Sequence, residues 1–172
     1  MTQIRDATLN DIPAITALYN AWIPTRTGAW TEMLERPEDR VAWFGRQARD
    51  GFPVLVAEED GDVVGFTAYG HFRGEGKWPG YRLTAEHSIH VREDRWGRGI
   101  GRSLIEALVE RARTAGIHVL VAAIDSENEE SMRFHERLGF VEVARMPETG
   151  AKFGRWLHLI LMQRILDDRA RP

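Results

Sequence analysis

The 172-residue chain contains no cysteine. That excludes a disulfide framework, a thiol nucleophile and a cysteine-ligated metal, and it fits a reducing cytoplasm. Long apolar runs are also missing, and none approaches the length of a bilayer span. The opening MTQIRDATLNDI lacks the basic-then-apolar order of a secretory signal. The expectation is a cytoplasmic protein with no membrane partner. Charge of one sign is lacking as well: 23 Lys and Arg face 26 Asp and Glu, a net of -3, so nothing favours a nucleic acid partner. His71, His87, His90, His118 and His158 have no metal-ligand spacing, and no Ser-His-Asp pattern stands out, so no metal is expected. Internal repeats, low-complexity tracts and Pro/Gly/Ser linkers are absent.

What is present suits a single domain over 1–172 with a core at about 3–166. Hydrophobic residues make up 43%, enough for a sizeable core. QIRDA alternates like a strand, and Ile12, Ile15, Tyr19 and Trp22 recur at helical spacing. The stretch IPTRTGAWTEMLERP reads as irregular, and Glu38 to Arg49 as a helix. PVLVAEE and VVGFTAYG flank the turn DGD as a hairpin. TAEHSIHV is a further strand after the loop FRGEGKWPGYR. From Gly99 to Ala115, Ile100, Leu104, Leu108 and Ala112 share one helical face, and Gly116 ends it. HVLVAAI is apolar enough to be covered on both faces. Asn128 to Leu138 reads as a helix, then FVEVARM and GRWLHLILMQRIL as strands. The order β-α-α-β-β-β-α-β-α-β-β predicts a mixed sheet with helices on its faces, in the α/β (α+β) class.

The densest local signal is DRWGRGIGRSL, Asp94 to Leu104, between a strand and the strongest helix. A glycine-rich turn opening a helix presents free N–H groups to an anion. Gly97, Gly99 and Gly101 allow close backbone approach, and Arg92, Arg95, Arg98 and Arg102 supply charge. No Lys-Ser/Thr pair follows, so a nucleotide P-loop is excluded, and the alternate glycines do not match the dinucleotide fingerprint. By itself the cluster suits an anion nest or a glycine-rich connection with exposed arginines equally well.

A second motif separates these readings. VREDRWGRGIGRSL resembles the acetyl-CoA pyrophosphate loop of the GNAT superfamily of N-acetyltransferases, whose pattern is Q/R-x-x-G-x-G/A. Downstream, NEESMRFHERLGF, Asn128 to Phe140, is similar to that superfamily's N-x-x-S/A-x-x-F/L-Y-x-x-x-G-F motif. Within the superfamily, WTE, TAEHSIHV, RFHERLGF and the run KFGRWLHL resemble phosphinothricin and methionine sulfoximine acetyltransferases, over roughly Ile4 to Leu166. Two features depart from the pattern. Trp96 fills the slot where Gln or Arg is usual, with Arg95 beside it, and the loop RGEGKWPGYR looks longer than its counterpart.

The resemblance implies a GNAT fold: a mixed, mostly antiparallel sheet of about seven strands with helices on both faces. It implies acetyl-CoA as cosubstrate and transfer to the amino group of a small glutamate-like amino acid analogue. Other small amines, a peptide N-terminus, or acyl-CoA binding without turnover are the alternatives. It also implies a homodimer. Direct transfer in a ternary complex agrees with the lack of a cysteine nucleophile.

Roles follow residue by residue. Glu86 is the candidate base, directly or through water, and His135 takes the slot of the superfamily's tyrosine, as acid or as base. The candidate cosubstrate-binding residues are Ile89, His90 and Val91 through their backbone, then Gly97, Arg98, Gly99, Ile100, Gly101, Arg102, Asn128 and Ser131. Asn128 also suits a helix cap. Arg73, Arg82, Glu86, His87 and Ser88 are the candidate substrate-binding residues, with Lys152 and Arg155 as further pocket or dimer candidates. Strand alternation puts Glu86, Ser88 and His90 on one face and His87, Ile89 and Val91 on the other. If Glu86 faces the substrate, His87 is therefore the more structural of the two.

Overall fold

A computed structural model describes residues 1–172. The strands are β1 (Gln3–Asp6), β2 (Val54–Glu59), β3 (Asp62–His71), β4 (Thr84–Val91), β5 (Val119–Asp125), β6 (Val141–Lys152) and β7 (Arg155–Ile165). The helices are α1 (Ile12–Asn20), α2 (Pro37–Asp50), α3 (Ile100–Thr114) and α4 (Glu129–Arg137). All lie in the predicted order. One seven-stranded sheet runs β1-β2-β3-β4-β5-β7-β6. Of its neighbouring pairs only β4 and β5 are parallel. The mixed, mostly antiparallel sheet expected of a GNAT fold is what forms.

The parallel pair positions everything else. β4 and β5 are joined by the crossover helix α3 and pair only from Thr84↔Val119 to His87↔Ala122. β4 continues to Val91 and β5 to Asp125 without pairing, so the strands part at the centre of the sheet. Backbone groups that a neighbouring strand would have taken are left facing a gap.

Each sheet face buries its own apolar set. The larger cluster joins Ile100, Leu104, Ile105, Leu108 and Ala112 of α3 to Leu120, Ala122 and Ile124 of β5 and to Leu138 and Phe140 after α4. The predicted helical stripe is thus the buried one. The smaller cluster joins Ile12, Ile15 and Leu18 of α1 to Val54, Val56, Phe66 and Ala68, with Trp43 and Phe44 of α2 against it. β6 is longer than FVEVARM suggests, because irregular register at Glu142/Ala144 and Met146/Gly150 lets pairing resume as far as Lys152.

Candidate functional site

Two cavities meet at the gap between β4 and β5 and share Trp22, Ile89, Asn128 and Ser131 in their walls. The first is about 440 Å³ and the second about 320 Å³.

The first cavity lies at the start of α3. Nine of the residues predicted to bind the cosubstrate line it together: Ile89, Val91, Gly97, Gly99, Ile100, Gly101, Arg102, Asn128 and Ser131. Gly97 and Gly99 have φ of 75° and 82°, a left-handed conformation that favours glycine. A Cβ on either would stand in open space, so the backbone there faces the cavity rather than packed protein. The first turn of α3 adds N–H groups without intrahelical acceptors, at the positive end of the helix dipole. Together these form an anion nest. Arg98 is exposed and lies outside both cavity walls, and Arg102 is paired with Glu106 at 3.3 Å.

Trp96 does not replace the missing Gln or Arg. Its indole Nε1–H donates to the Val91 carbonyl at 2.9 Å, its ring meets Trp22 edge-on at 5.6 Å, and the Arg26 guanidinium lies over it at 5.0 Å. Arg26 also pairs with Glu93 at 2.6 Å. Trp96 therefore fastens the glycine loop to β4 and to the segment after α1. Arg95 leans on Glu59 at 3.2 Å and Asp94 at 3.1 Å.

Asn128 caps α4. Its side-chain oxygen accepts from the Ser131 N–H at 3.0 Å, leaving its amide nitrogen for a ligand, so the capping and binding readings are compatible. Ser131, Phe134 and Leu138 follow along the same wall at helical spacing, and Arg137 lies beside them. That spacing was available in the sequence and would have added Phe134 and Leu138 to the site. Trp22 continues the apolar spacing of Ile12, Ile15 and Tyr19, which suits a buried helical face rather than a cavity, and Arg26 sits in the segment read as irregular, so neither carried a site signal.

The second cavity contains Glu86, His87, Ser88, His90, Asp125 and His135, walled by Thr27, Gly28 and Trp30. The alternation along β4 holds. His90 stacks on Phe66 at 4.9 Å, beside Tyr19 and Trp22, on the face carrying α1 and α2. His87 meets His135 at 5.2 Å and Phe140 at 5.4 Å on the other face. Glu86 and His135 thus reach the gap from opposite faces of the sheet.

Burial tunes these groups. It raises Glu86 above the ordinary carboxylate value. It lowers His87 to about 3 and His90 to about 4, with the His135 and Arg40 charges adding to the respective effects. His135 is lowered by burial too, although its bond to Ser131 opposes this. The His135 Nδ1 lies 2.7 Å from the Ser131 carbonyl, which can only accept. Neutral His135 therefore carries its proton on Nδ1, and Nε2 presents a lone pair. That Nε2 is buried without a partner, as are both ring nitrogens of His87, Nδ1 of His90 and Oδ2 of Asp125. Buried polar atoms left unpaired are uncommon, and these five belong to residues that line one cavity, while the others are on Arg40 and Arg95.

Arg73 and Arg82 are exposed in the loop between β3 and β4 and line neither cavity, and the Arg73 guanidinium lies 5.9 Å over the Tyr81 ring. Lys152 is buried and Arg155 pairs with Glu127 at 2.8 Å, so neither belongs to a cavity wall. No group of three or more His, Asp or Glu side chains is placed to hold a metal ion, and no helix is long and apolar enough to cross a membrane.

A glycine nest at a helix start, joined through a split in the sheet to a cavity holding a raised carboxylate, defines a two-substrate cleft for group transfer. Comparison with known proteins agrees. The acetyltransferase (GNAT) family model matches residues 15–140. The chain is 47% identical over 165 residues to the L-methionine sulfoximine/L-methionine sulfone acetyltransferase of Pseudomonas aeruginosa, covering 95% of this chain and 94% of that one. It is 35% identical to the phosphinothricin N-acetyltransferase of Alcaligenes faecalis, over 92% and 79% of the two chains. The structure of a putative acetyltransferase from Salmonella typhimurium with its cofactor acetyl-CoA superposes with a TM-score of 0.94 at 42% identity, over 99% and 97% of the two chains. The chain belongs to the GNAT acetyltransferase family.

Proposed function

We propose that the protein transfers the acetyl group of acetyl-CoA directly to the amino group of a small amino acid analogue of the methionine sulfoximine type, with phosphinothricin as a second, more distant candidate. One observation carries this reading: a cavity with a basic phosphate nest opens into a cavity that holds carboxylates and no Lys or Arg. The first suits a cosubstrate bearing a pyrophosphate, and the second suits an ammonium. The 47% identity to a methionine sulfoximine acetyltransferase favours that substrate over phosphinothricin, whose enzyme is 35% identical.

Bound acetyl-CoA supplies a thioester whose carbonyl carbon accepts the amine and whose sulfur departs as thiolate. The backbone N–H groups at Gly99 to Arg102 hold the pyrophosphate, and the Asn128 amide binds the pantetheine chain. Backbone groups of Ile89 to Val91, unpaired on the β5 side, hold the chain and the acetyl oxygen. Glu86, made more basic by burial, takes the proton that the ammonium must lose before its nitrogen can attack. His135 joins as a proton acceptor through Nε2, because its Nδ1–H is committed to Ser131. Nε2 is the atom that exchanges a proton in either role open to it in the sequence, and burial, by favouring the neutral ring, supports base over acid. As the nitrogen–carbon bond forms and the carbon–sulfur bond breaks, the proton released from nitrogen balances the charge of the departing thiolate. Arg73 and Arg82, exposed in the loop between β3 and β4, line neither cavity, and their part in holding an anionic substrate group rests on the family resemblance alone.

The test is thiol release from acetyl-CoA with methionine sulfoximine, methionine sulfone, phosphinothricin, the common amino acids and a peptide N-terminus. Turnover highest on methionine sulfoximine or its sulfone is expected. Acetyl-CoA binding without thiol release on any amine would leave a binding domain and remove the enzymatic reading. We further propose a single cytoplasmic domain that forms a homodimer, since Val141, Val143, Met146, Phe153 and Trp156 expose apolar surface along β6 and its turn. Light scattering that shows only a 19.7 kDa species would reject the dimer.

A further inference from the structure

We infer that Lys152 and Gly150, on the β6–β7 hairpin and outside both cavities, set the shape of the amine cavity from behind, so that Lys152 is a positioning residue for the acceptor substrate. This rests on the acceptor reading of the second cavity given above.

Lys152 is 2% exposed, rare for a lysine. Its ammonium forms no ion pair. It donates instead to the Arg26 carbonyl at 2.6 Å and to the Ala29 carbonyl at 2.7 Å, across more than a hundred residues of chain. Neither carbonyl is taken by a backbone N–H. The clamped segment is the one without regular structure between α1 and α2. It supplies Arg26 to the first cavity and Thr27, Gly28 and Trp30 to the second. The same hairpin holds it twice more. The Phe153 N–H donates to Glu32 at 3.0 Å, and the Trp30 ring lies so close to Gly150 that a Cβ there would overlap it. A loop has no ladder of its own to fix it, so a buried cation bonded to two of its carbonyls gives it one conformation. Gly150 is the space that lets Trp30 stand back from the cavity, and a side chain there would drive the ring towards the substrate.

Two variants test this from opposite sides. Lys152→Met releases the wall, and Gly150→Ala pushes Trp30 inward. Each is expected to raise the amine KM about tenfold or more, since displacements of the order of 1 Å at a substrate wall have effects of that size. The acetyl-CoA dissociation constant, measured by calorimetry, should move less than about threefold, because the glycine nest is also fastened to β4 by the Trp96 bond to the Val91 carbonyl, which the hairpin does not touch. Lys152→Arg keeps two donors and should recover most of the amine KM. Melting curves and acetyl-CoA binding establish that each variant is folded, and if Lys152→Met is not, Gly150→Ala and Lys152→Arg decide the matter. Folded variants with wild-type amine KM, or with amine and acetyl-CoA binding weakened in parallel, would overturn the inference. Wild-type protein that binds acetyl-CoA and acetylates no amine would instead overturn the acceptor reading, a separate failure.

Discussion

The two cavities differ in charge and in the kind of atom they present. The first is walled by Arg26, Arg95, Arg102 and Arg137 against Glu130, and its glycine loop offers backbone N–H groups. The second is walled by Glu86 and Asp125 with no Lys or Arg, and it offers lone pairs: a carboxylate, His135 Nε2 and Asp125 Oδ2. One end is a set of donors waiting for an anion and the other a set of acceptors waiting for a cation. The difference shows how one split in a sheet receives an anionic pyrophosphate at one end and an ammonium group at the other. It also explains why burial has opposite uses at the two ends. The N–H nest works at an exposed loop because it carries no ionisable group. The acceptor end needs burial, because burial makes Glu86 basic enough to take a proton.

The largest effect that separates the ends belongs to Glu86. Glu86→Gln should lower kcat by about 10²–10⁴ while leaving acetyl-CoA affinity unchanged. A base must be ionised to act, so wild-type rate should rise with pH through the raised Glu86 value, and that limb should vanish in the variant. An identical pH–rate profile in both would remove Glu86 from the role.

Acid should undo the second cavity next. His87 and His90 titrate at about 3 and about 4 when folded, against about 6.5 when unfolded. Below pH 6.5 the unfolded chain binds more protons, so stability falls as pH drops towards the folded values and is fully present only above 6.5. At pH 5 each histidine contributes a loss of roughly 2 kcal/mol. Thermal melts at pH 7 and pH 5 should show it, and His87→Phe should shrink the difference. A variant as acid-sensitive as wild type would contradict the assignment.

A smaller effect belongs to the first cavity. Gly99→Val puts a β-branched residue at φ 82°, a strain of about 1–2 kcal/mol. Acetyl-CoA affinity should fall about tenfold by calorimetry, with the amine KM unmoved; the reverse pattern would mean the cavities are misassigned. Smallest is Trp96→Phe, which keeps a ring but loses the bond to Val91. It should reduce stability by about 1 kcal/mol in denaturant titration and affect acetyl-CoA less than Gly99→Val does. A larger loss of affinity would give Trp96 a direct part in binding.

Much of this was legible in the chain because it depends on local order. The element sequence, the stripe of Ile100, Leu104, Leu108 and Ala112, and the strand–glycine–helix nest are each written within a few residues. So are the cap at Asn128 and the faces of β4, since alternation is a property of any strand. What could not be read depends on partners far away in sequence. Trp96 looked like a gap in a binding motif until Val91, Trp22 and Arg26 closed around it. Arg73 and Arg82 have the right chemistry for an anionic substrate, but only folding places them outside the cavities. The segment from Ile23 to Trp30 has no periodicity, and although Trp30 opens the WTE motif, nothing local placed the segment against both cavities.

By itself, then, the sequence determined the kind of protein this is: a glycine nest before a helix, an asparagine-capped helix behind it, and no cysteine for a covalent route. Those features need only neighbouring residues and the regular geometry of helix and strand. Tertiary structure decided the burial of His135 and the neutral ring that burial favours, although the carbonyl that holds its Nδ1 proton is only one helical turn away. It also decided the separation of charge between the cavities, and the use of Lys152 as a clamp rather than a ligand. Burial and long-range hydrogen bonds are properties of the assembled sheet, and the acid–base character of the site follows from them.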